Sequence, residues 1–491
     1  MAGSDRDAKS RSDIEEKHHI HGTSLDDAQG EAKQETSETD DAQTPPFSPV
    51  REVAFVFTIC MAQFLALAGL AQSIAPLPMF GQSFGITDEG TFILPAGRLG
   101  DMYGHRNVAI VGYVWYAIWS IVAGVAVYSG DILFTVARGM QGIGPALVVP
   151  NSLALVGIAY GASPRKNMVF ALFGAAAPTG WVVGAAFSSI LAQLAWWPWA
   201  FFALTLACVA MIALNLVAVP ADPRKGAVSF KEFDSLGCLT GVSGLILFNF
   251  AWNQAAVVSW QEPYTYALLI VGILLLPIFV WVELRIAQYP LVPLKGMAGE
   301  AALALRVIAA GWASFGIWVF YLWRLIENLR GYSPLAATAQ NAPVAISGLI
   351  AAVATGFLLS HIKTPYVLLI TTLFFLTGQI LIATVPVNQI YWAQTFVSII
   401  LMPWGMDMSF PSATVLLSNS TPNHDQEIAS SLVNTTVNYS ISLGLGIAGT
   451  IVRQLNATGG DVISGYRGAW YFGIGLDGLA VVIALYFVVK Y

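Results

Sequence analysis

From Val53 to the C-terminus the chain alternates between apolar runs of about 20 residues or more and short polar breaks. A run of about 20 apolar residues crosses roughly 30 Å of hydrocarbon as a helix, and within a bilayer a helix satisfies its own backbone. The pattern predicts helices near 53–80, 107–128, 132–158, 168–194, 197–219, 236–254, 264–284, 303–325, 336–359, 366–385, 390–417, 428–452 and 469–489. Tryptophans gather at several predicted ends (Trp196, Trp197, Trp199, Trp252, Trp260, Trp323, Trp392, Trp470), as an interfacial belt would place them. One interval breaks the pattern. Between Phe80 and Asn107 the only mostly apolar stretch is Thr91–Gly97, preceded by Asp88 and Glu89, which is too short to span a bilayer.

Composition fixes the class that this pattern suggests. The 491 residues are 56% hydrophobic and only 11% charged, against about 25% charged in soluble globules. The formal charge of -6 belongs to the start of the chain: residues 1–50 hold 12 acidic and 5 basic residues, leaving 17 acidic and 18 basic in the rest. Residues 1–50 are therefore read as a disordered cytoplasmic tail. They have no apolar region behind a basic one, so the first span, rather than a cleaved signal peptide, is expected to direct membrane insertion. The tail's His18, His19 and His21 make a poor metal site without cysteines or structure around them. Cys60, Cys208 and Cys238 all fall within apolar runs and read as packing residues. No metal and no cofactor is expected. The sequence lacks a phosphate-binding loop of the Walker type, paired catalytic carboxylates, HExxH and GxSxG, which argues against an ATP-driven pump and an intramembrane hydrolase. An enzyme and a nucleic-acid partner are both unsupported.

Positive charge sets the orientation. Arg98 and Arg106, Arg165 and Lys166, Arg224, Lys225 and Lys231, Arg285 and Lys295, and Lys363 lie in alternate loops, while the other loops hold few basic residues. The positive-inside rule makes those loops cytoplasmic, with both termini on the same side. Asn456-Ala457-Thr458 is then an exterior glycosylation acceptor, whereas Asn419 faces the cytoplasm. The parity works only if a second helix precedes Asp101, so the short stretch at 91–97 must count as a span.

Four stretches carry candidate chemistry. Gly97-Arg98-Leu99-Gly100-Asp101-Met102-Tyr103-Gly104-His105-Arg106 is a polar turn between two spans, with glycines for a tight turn, Asp101 to accept from free N–H groups, and Arg98 and Arg106 in the headgroup layer. Arg138-Gly139-Met140-Gln141-Gly142-Ile143-Gly144 puts a cation inside an apolar run, at a cost of about 2.5 to 3.5 kcal/mol on insertion scales, so it is either functional or snorkels to the headgroups. Gly174, Pro178, Gly180 and Gly184 combine a helix-opening proline with small residues at four-residue spacing, a face that suits close helix packing. Asp407 is an acid within an apolar run, flanked at four residues on either side by Pro403 and Pro411. Pro411 cannot donate to the carbonyl of Asp407, so the helix opens at the acid.

These motifs, in this order, resemble the major facilitator superfamily: the loop between its second and third helices, its fourth-helix motif, and the fifth-helix motif of its proton-coupled antiporters. The fifth-helix match is partial, with Ala177 and Trp181-Val182 where the motif has glycines. Stretches such as Phe92-Ile93-Leu94-Pro95-Ala96 and Gly405-Met406-Asp407-Met408-Ser409-Phe410-Pro411 are similar to the fourteen-helix drug:proton antiporters, in the fungal branch with aminotriazole-resistance, boron-efflux and low-affinity ammonium transporters. The resemblance implies an all-α membrane protein of nominally fourteen helices, its second one cut short by a dozen residues or more. It implies a six-helix bundle at 51–220, a linker with two extra helices at 221–300, and a second six-helix bundle at 301–491. It further implies a monomer in the plasma membrane, or alternatively the vacuolar membrane, that exchanges protons for a small-molecule substrate, with Arg138 and Asp407 in proton coupling and the 97–106 turn in gating. The expected activity is efflux of small organic or drug-like compounds or of a fungal metabolite. Movement of a small inorganic solute such as ammonium or borate, or an inactive shortened form, are the alternatives. Arg138 and Asp407 lie about 10 Å and 25 Å from the outer surface at about 1.5 Å of rise per residue, so a direct salt bridge between them is not expected.

Overall fold

The computed structural model describes residues 48–76, 104–160, 164–220, 234–287, 290–292, 299–420, 426–457 and 461–490. The regular structure among them is entirely helical. The first group is α1 (Pro49–Ile74), α2 (His105–Val125), α3 (Asp131–Gln141), α4 (Ile143–Tyr160), α5 (Pro164–Leu194) and α6 (Pro198–Ala218). Then come α7 (Ser235–Val258) and α8 (Pro263–Arg285). The last group is α9 (Gly299–Arg324), α10 (Pro334–Asn341), α11 (Pro343–His361), α12 (Thr364–Ala383), α13 (Gln394–Ser420), α14 (Gln426–Ala457) and α15 (Val462–Lys490). Among the described residues, 12 helices are long and apolar enough to cross a membrane. The 27-residue α13 is not one of them: Asp407, two prolines and several small or polar residues dilute its apolar character.

Proline sets many of the boundaries. It occupies the first turn of α1, α6, α8, α10 and α11, where its missing N–H is an orphan in any case. The single run expected at 132–158 is two helices parted at Gly142, because Pro145 has no N–H to offer the carbonyl of Gln141. The run at 336–359 divides in the same way at Ala342, where Pro343 ends α10 and starts α11.

Helix polarity defines two faces. Arg51 Nε and Arg106 Nη2 donate to the last-turn carbonyls of α6, Ala218 at 3.1 Å and Leu216 at 2.7 Å. The starts of α1 and α2 therefore lie together with the end of α6, on the face that also carries Arg165, Lys166, Arg285 and Lys363. The chain leaves α1 at the opposite face and re-enters α2 at this basic one. The shortened second helix expected between them falls within 77–103, outside the described residues.

Three apolar clusters show how the two groups of helices meet. Near the basic face each group has its own core: Phe55, Ile59, Leu155 and Phe173 in α1 to α6, and Ala301, Leu368, Leu416 and Phe487 in α9 to α15. Toward the opposite face a single core takes in both groups, joining Ala71, Ala75, Trp181 and Ala185 to Trp318, Leu322 and Trp323. Ser189 and Thr338 add a 3.1 Å hydroxyl contact across the same seam. The structure is thus closed at the face opposite the basic loops. Trp323 and Trp470, expected in an interfacial belt, are instead 1% and 0% exposed within this core, while Trp199 and Trp392 do lie open.

The extra pair of helices belongs with the second group. Asn249 Nδ2 of α7 donates to Ser442 Oγ of α14 at 2.8 Å, and Tyr439 and Arg453 of α14 donate back to the carbonyls of Leu245 and Ala256. α8 packs on α7 through Gly241 and Gly272, where an added Cβ would stand 2.7 Å from Phe279 and from the Phe248 backbone. Its other side presents Ile270, Ile273, Leu274 and Trp281, a surface suited to lipid.

Candidate functional site

Asp407 lies roughly 20 Å along α13 from its start at about 1.5 Å of rise per residue. Its Oδ2 is shielded from solvent and has no hydrogen-bond partner. The nearby hydroxyls are turned elsewhere: Ser409 donates to Met406 O at 2.9 Å and accepts from Trp312 Nε1 at 3.0 Å, Ser412 donates to Met408 O, and Ser347 of α11 donates to Ile400 O. A Cβ built on Gly348 of α11 would be 2.6 Å from Asp407 Oδ2 and 3.1 Å from the ring of Pro178 in α5. The acid, a glycine of one group and the proline of the other thus meet at the seam. A carboxylate oxygen buried without a partner in this way is costly.

Arg138 stands apart from it. Its Nη2 donates to Gly69 O of α1 at 3.0 Å, its Nη1 donates to Gln141 Oε1, and its guanidinium lies 5.4 Å from the centroid of the Phe201 ring. Gln141 then donates to Ser120 Oγ at 2.6 Å, and Ser120 to Tyr116 O, so the cation is bound into a polar chain across α1, α2 and α3. An ion pair at the starts of α5 and α1 joins Arg165 to Glu52 at 3.5 Å. Arg138 and Asp407 do not pair.

The fifth-helix residues divide into two kinds. A Cβ on Gly180 or Gly184 would collide with the backbone of Phe64 or Ala68, the latter at 2.8 Å from its carbonyl carbon, so these glycines let α1 and α5 touch. Gly174 has nothing within 4 Å of such a Cβ. Of the polar turn, Gly97, Arg98, Gly100 and Asp101 lie outside the described residues. Gly104 precedes α2 with φ of 87°, a conformation that favours glycine, and Arg106 caps α6. His105 Nδ1 is 2.8 Å from Asn151 Oδ1, tying the turn to α4. Asn456 is exposed near the end of α14, while Thr458 of its sequon lies outside the described residues, as do His18, His19 and His21.

Two buried acids with oxygens that lack a hydrogen-bond partner fall outside these motifs. Asp477 of α15 is 0% exposed and accepts from Ser314 Oγ of α9 at 2.7 Å, with Oδ1 unpartnered. Its signal was a lone acid in the last apolar run. Glu327 sits just past α9 in a π-helical turn, Leu325–Leu329, with both carboxylate oxygens buried and unpartnered. It escaped because the apolar run seemed to end two residues earlier.

Comparison with known proteins gives one consistent picture. The sequence profile of the Major Facilitator Superfamily matches residues 53–445. The chain is 53% identical over 467 residues to the "Low affinity ammonium transporter" of Saccharomyces cerevisiae, covering 91% of this chain and 90% of that protein. It is 42% identical over 499 residues to "Efflux pump terJ" of Aspergillus terreus, covering 97% and 95%. Among solved structures, a POT family transporter in complex with 5-aminolevulinic acid superposes with a TM-score of 0.62 at 15% identity, covering 89% of this chain and 96% of that one.

Proposed function

Since the chain belongs to the major facilitator superfamily, and is a multi-pass membrane transporter rather than an enzyme, we propose that it is a proton-coupled exporter of small organic compounds. In this reading the basic face is cytoplasmic, and the protein alternates between the closed exterior described above and a state open to the outside. The observation that carries the reading is the uncompensated Asp407 carboxylate at the seam between the two groups of helices, where it meets Gly348 and Pro178. A proton binding there when the seam opens to one side, and leaving when it opens to the other, couples the gradient to the movement. Arg138 serves in this scheme as a fixed strut that ties α1 to α3, so that the first six helices rock as one body. The relative named an efflux pump supports export. The plasma membrane as location, a monomer as working unit, a glycan on Asn456 and a plan of fourteen helices complete the proposal. The fourteen are the 12 apolar spans, α13, and a second helix within 77–103.

Ammonium movement is the second reading, favoured by the 53% identity to a transporter of that name. A growth screen separates the two. Cells lacking the protein are expected to become sensitive to members of a panel of organic toxins, with growth on limiting ammonium unchanged. A defect confined to ammonium would reverse the preference.

A further inference from the structure

The break between α10 and α11 lies between two contacts that the second group of helices makes with α5. Outward of it, Thr338 Oγ1 of α10 is 3.1 Å from Ser189 Oγ. Inward of it, a Cβ on Gly348 of α11 would stand 3.1 Å from the Pro178 ring and 2.6 Å from Asp407 Oδ2. Pro343 has no N–H to offer the carbonyl of Ala339. The backbone tightens there to three-residue bonds, Ala342 N donating to Ala339 O at 3.3 Å and Ala345 N to Ala342 O at 3.1 Å. Gln340 O, which an unbroken helix would satisfy from Val344 N, accepts instead from Tyr391 Oη at 2.6 Å. A side-chain hydroxyl thus stands in for a backbone donor at the point where the helix is interrupted.

Tyr391 comes from a loop that is itself fixed. Arg330, at the end of the π-helical turn after α9, donates to Val387 O at 2.8 Å, Thr395 Oγ1 at 3.1 Å and Pro386 O at 3.5 Å. Within the loop, Phe396 N donates to Tyr391 O at 2.9 Å, and the Tyr391 ring lies 5.0 Å from that of Trp392 and 5.7 Å from that of Phe396. The two parts of the broken helix are held differently. α11 packs along α13, where Ser347 Oγ donates to Ile400 O at 2.6 Å. α10, only 8 residues long, packs on α5 of the other group and on the turn that ends α9. A proline break is where a helix can bend. α10 therefore has the form of a short lever, with its pivot at the break, its middle on the seam and its inner end held by the tyrosine.

We propose that α10 is a hinged flap of the outer gate and that Tyr391 is its clasp, a positioning residue whose hydroxyl holds Gln340 O while the flap lies on α5 and releases it when the flap turns about the break. Water admitted by the opened gate then serves the released carbonyl, so it is satisfied in both positions. A bond made in the closed position alone stabilises that position, and removing it shifts the population toward the open one. The clasp rests on the reading of this chain as a transporter that opens at this face, not on proton coupling, and its test reads gate position with no substrate and no transport. Ala185 of α5, 1% exposed in the core that joins the two groups, is replaced by cysteine in a protein carrying Cys60→Ala, Cys208→Ala and Cys238→Ala, and labelled from outside with a membrane-impermeant maleimide. The labelled fraction is measured against the total reached after denaturation. Tyr391→Phe is expected to label about threefold to tenfold faster than the parent, the factor for one ordinary hydrogen bond. Arg330→Gln, which unties the loop from the end of α9, should also label faster. Pro343→Ala restores the missing backbone donor, so adding Tyr391→Phe to it should leave its labelling rate unchanged, whereas a general loss of stability would speed labelling in either background. Tyr391→Phe or Arg330→Gln labelling at the parent's rate overturns the clasp, and equal acceleration by Tyr391→Phe with and without Pro343 overturns the hinge. If these rates come out as expected in a protein that exports no compound from the toxin panel, the export reading fails and the clasp stands.

Discussion

At the residue scale the protein treats its membrane-embedded charges in two ways. Arg138 is engaged through both terminal nitrogens, so removing it strands acceptors on two helices, α1 and α3. Arg138→Ala leaves Gly69 O and Gln141 Oε1 without their donor, and each buried group left unpaired costs about 1–3 kcal/mol. Reduced thermal stability in detergent is the expected outcome, with Arg138→Lys recovering only part of it because a lysine cannot make the forked contact. A variant as stable as the parent would leave Arg138 without its strut role. Asp407, Glu327 and Asp477, in contrast, each keep a buried oxygen without a hydrogen-bond partner. Asp477→Asn preserves the acceptor for Ser314 Oγ and should leave stability and transport close to the parent's, as measured by melting and by vesicle flux. A loss of transport comparable to that of an Asp407 variant would move Asp477 into the mechanism. Much at this scale was legible. Asp407 and Arg138 stood out as ions within hydrocarbon, and their separation followed from helix rise. Glu327 did not, because hydropathy cannot see a turn that widens and buries a residue beyond the apparent end of its run.

At the scale of elements, the apolar runs placed most helix ends to within a few residues, with the end of α1 and the start of α15 further off, but not the internal breaks. The interruptions at Gly142 and Ala342 come from prolines at 145 and 343 inside continuous apolar stretches. Apolar length overrides them as a predictor, while backbone hydrogen bonding does not. The glycines of α5 show a similar limit, since spacing alone groups Gly174 with Gly180 and Gly184, and only the packing separates them. Gly184→Ala forces a methyl into the Ala68 backbone and should destabilise the α1–α5 contact by about 1–3 kcal/mol, the range for overpacking a close interface. Gly174→Ala meets nothing within 4 Å and should melt with the parent. Equal melting of the two variants would contradict this account of the helix contact. Gly348→Ala is intermediate: its methyl meets the Asp407 carboxyl and the Pro178 ring, so it should slow transport more than it lowers stability, read as flux per folded molecule.

At the scale of the whole molecule, the orientation of the helices follows from charge and the closed seam from packing. Charge was readable in advance. Which face is shut was not, because Ala71, Ala75, Trp181 and Ala185 look like any other apolar residues until they are seen in one core with Trp318 and Leu322. If that seam must open, locking it stops the cycle. Ser189→Cys with Thr338→Cys, at positions whose hydroxyls are 3.1 Å apart, should form a disulfide on oxidation that abolishes transport, with activity returning on reduction. Persistent transport in the fully crosslinked protein would place the moving parts elsewhere. The central claim, that Asp407 carries the coupled proton, is tested most directly in sealed vesicles containing the purified protein and an exported compound identified by the growth screen. An imposed pH gradient should drive accumulation of that compound by the parent. Asp407→Asn, folded and equally reconstituted, should bind the compound but show no gradient-driven accumulation. Accumulation by Asp407→Asn at the parent's rate would contradict the account.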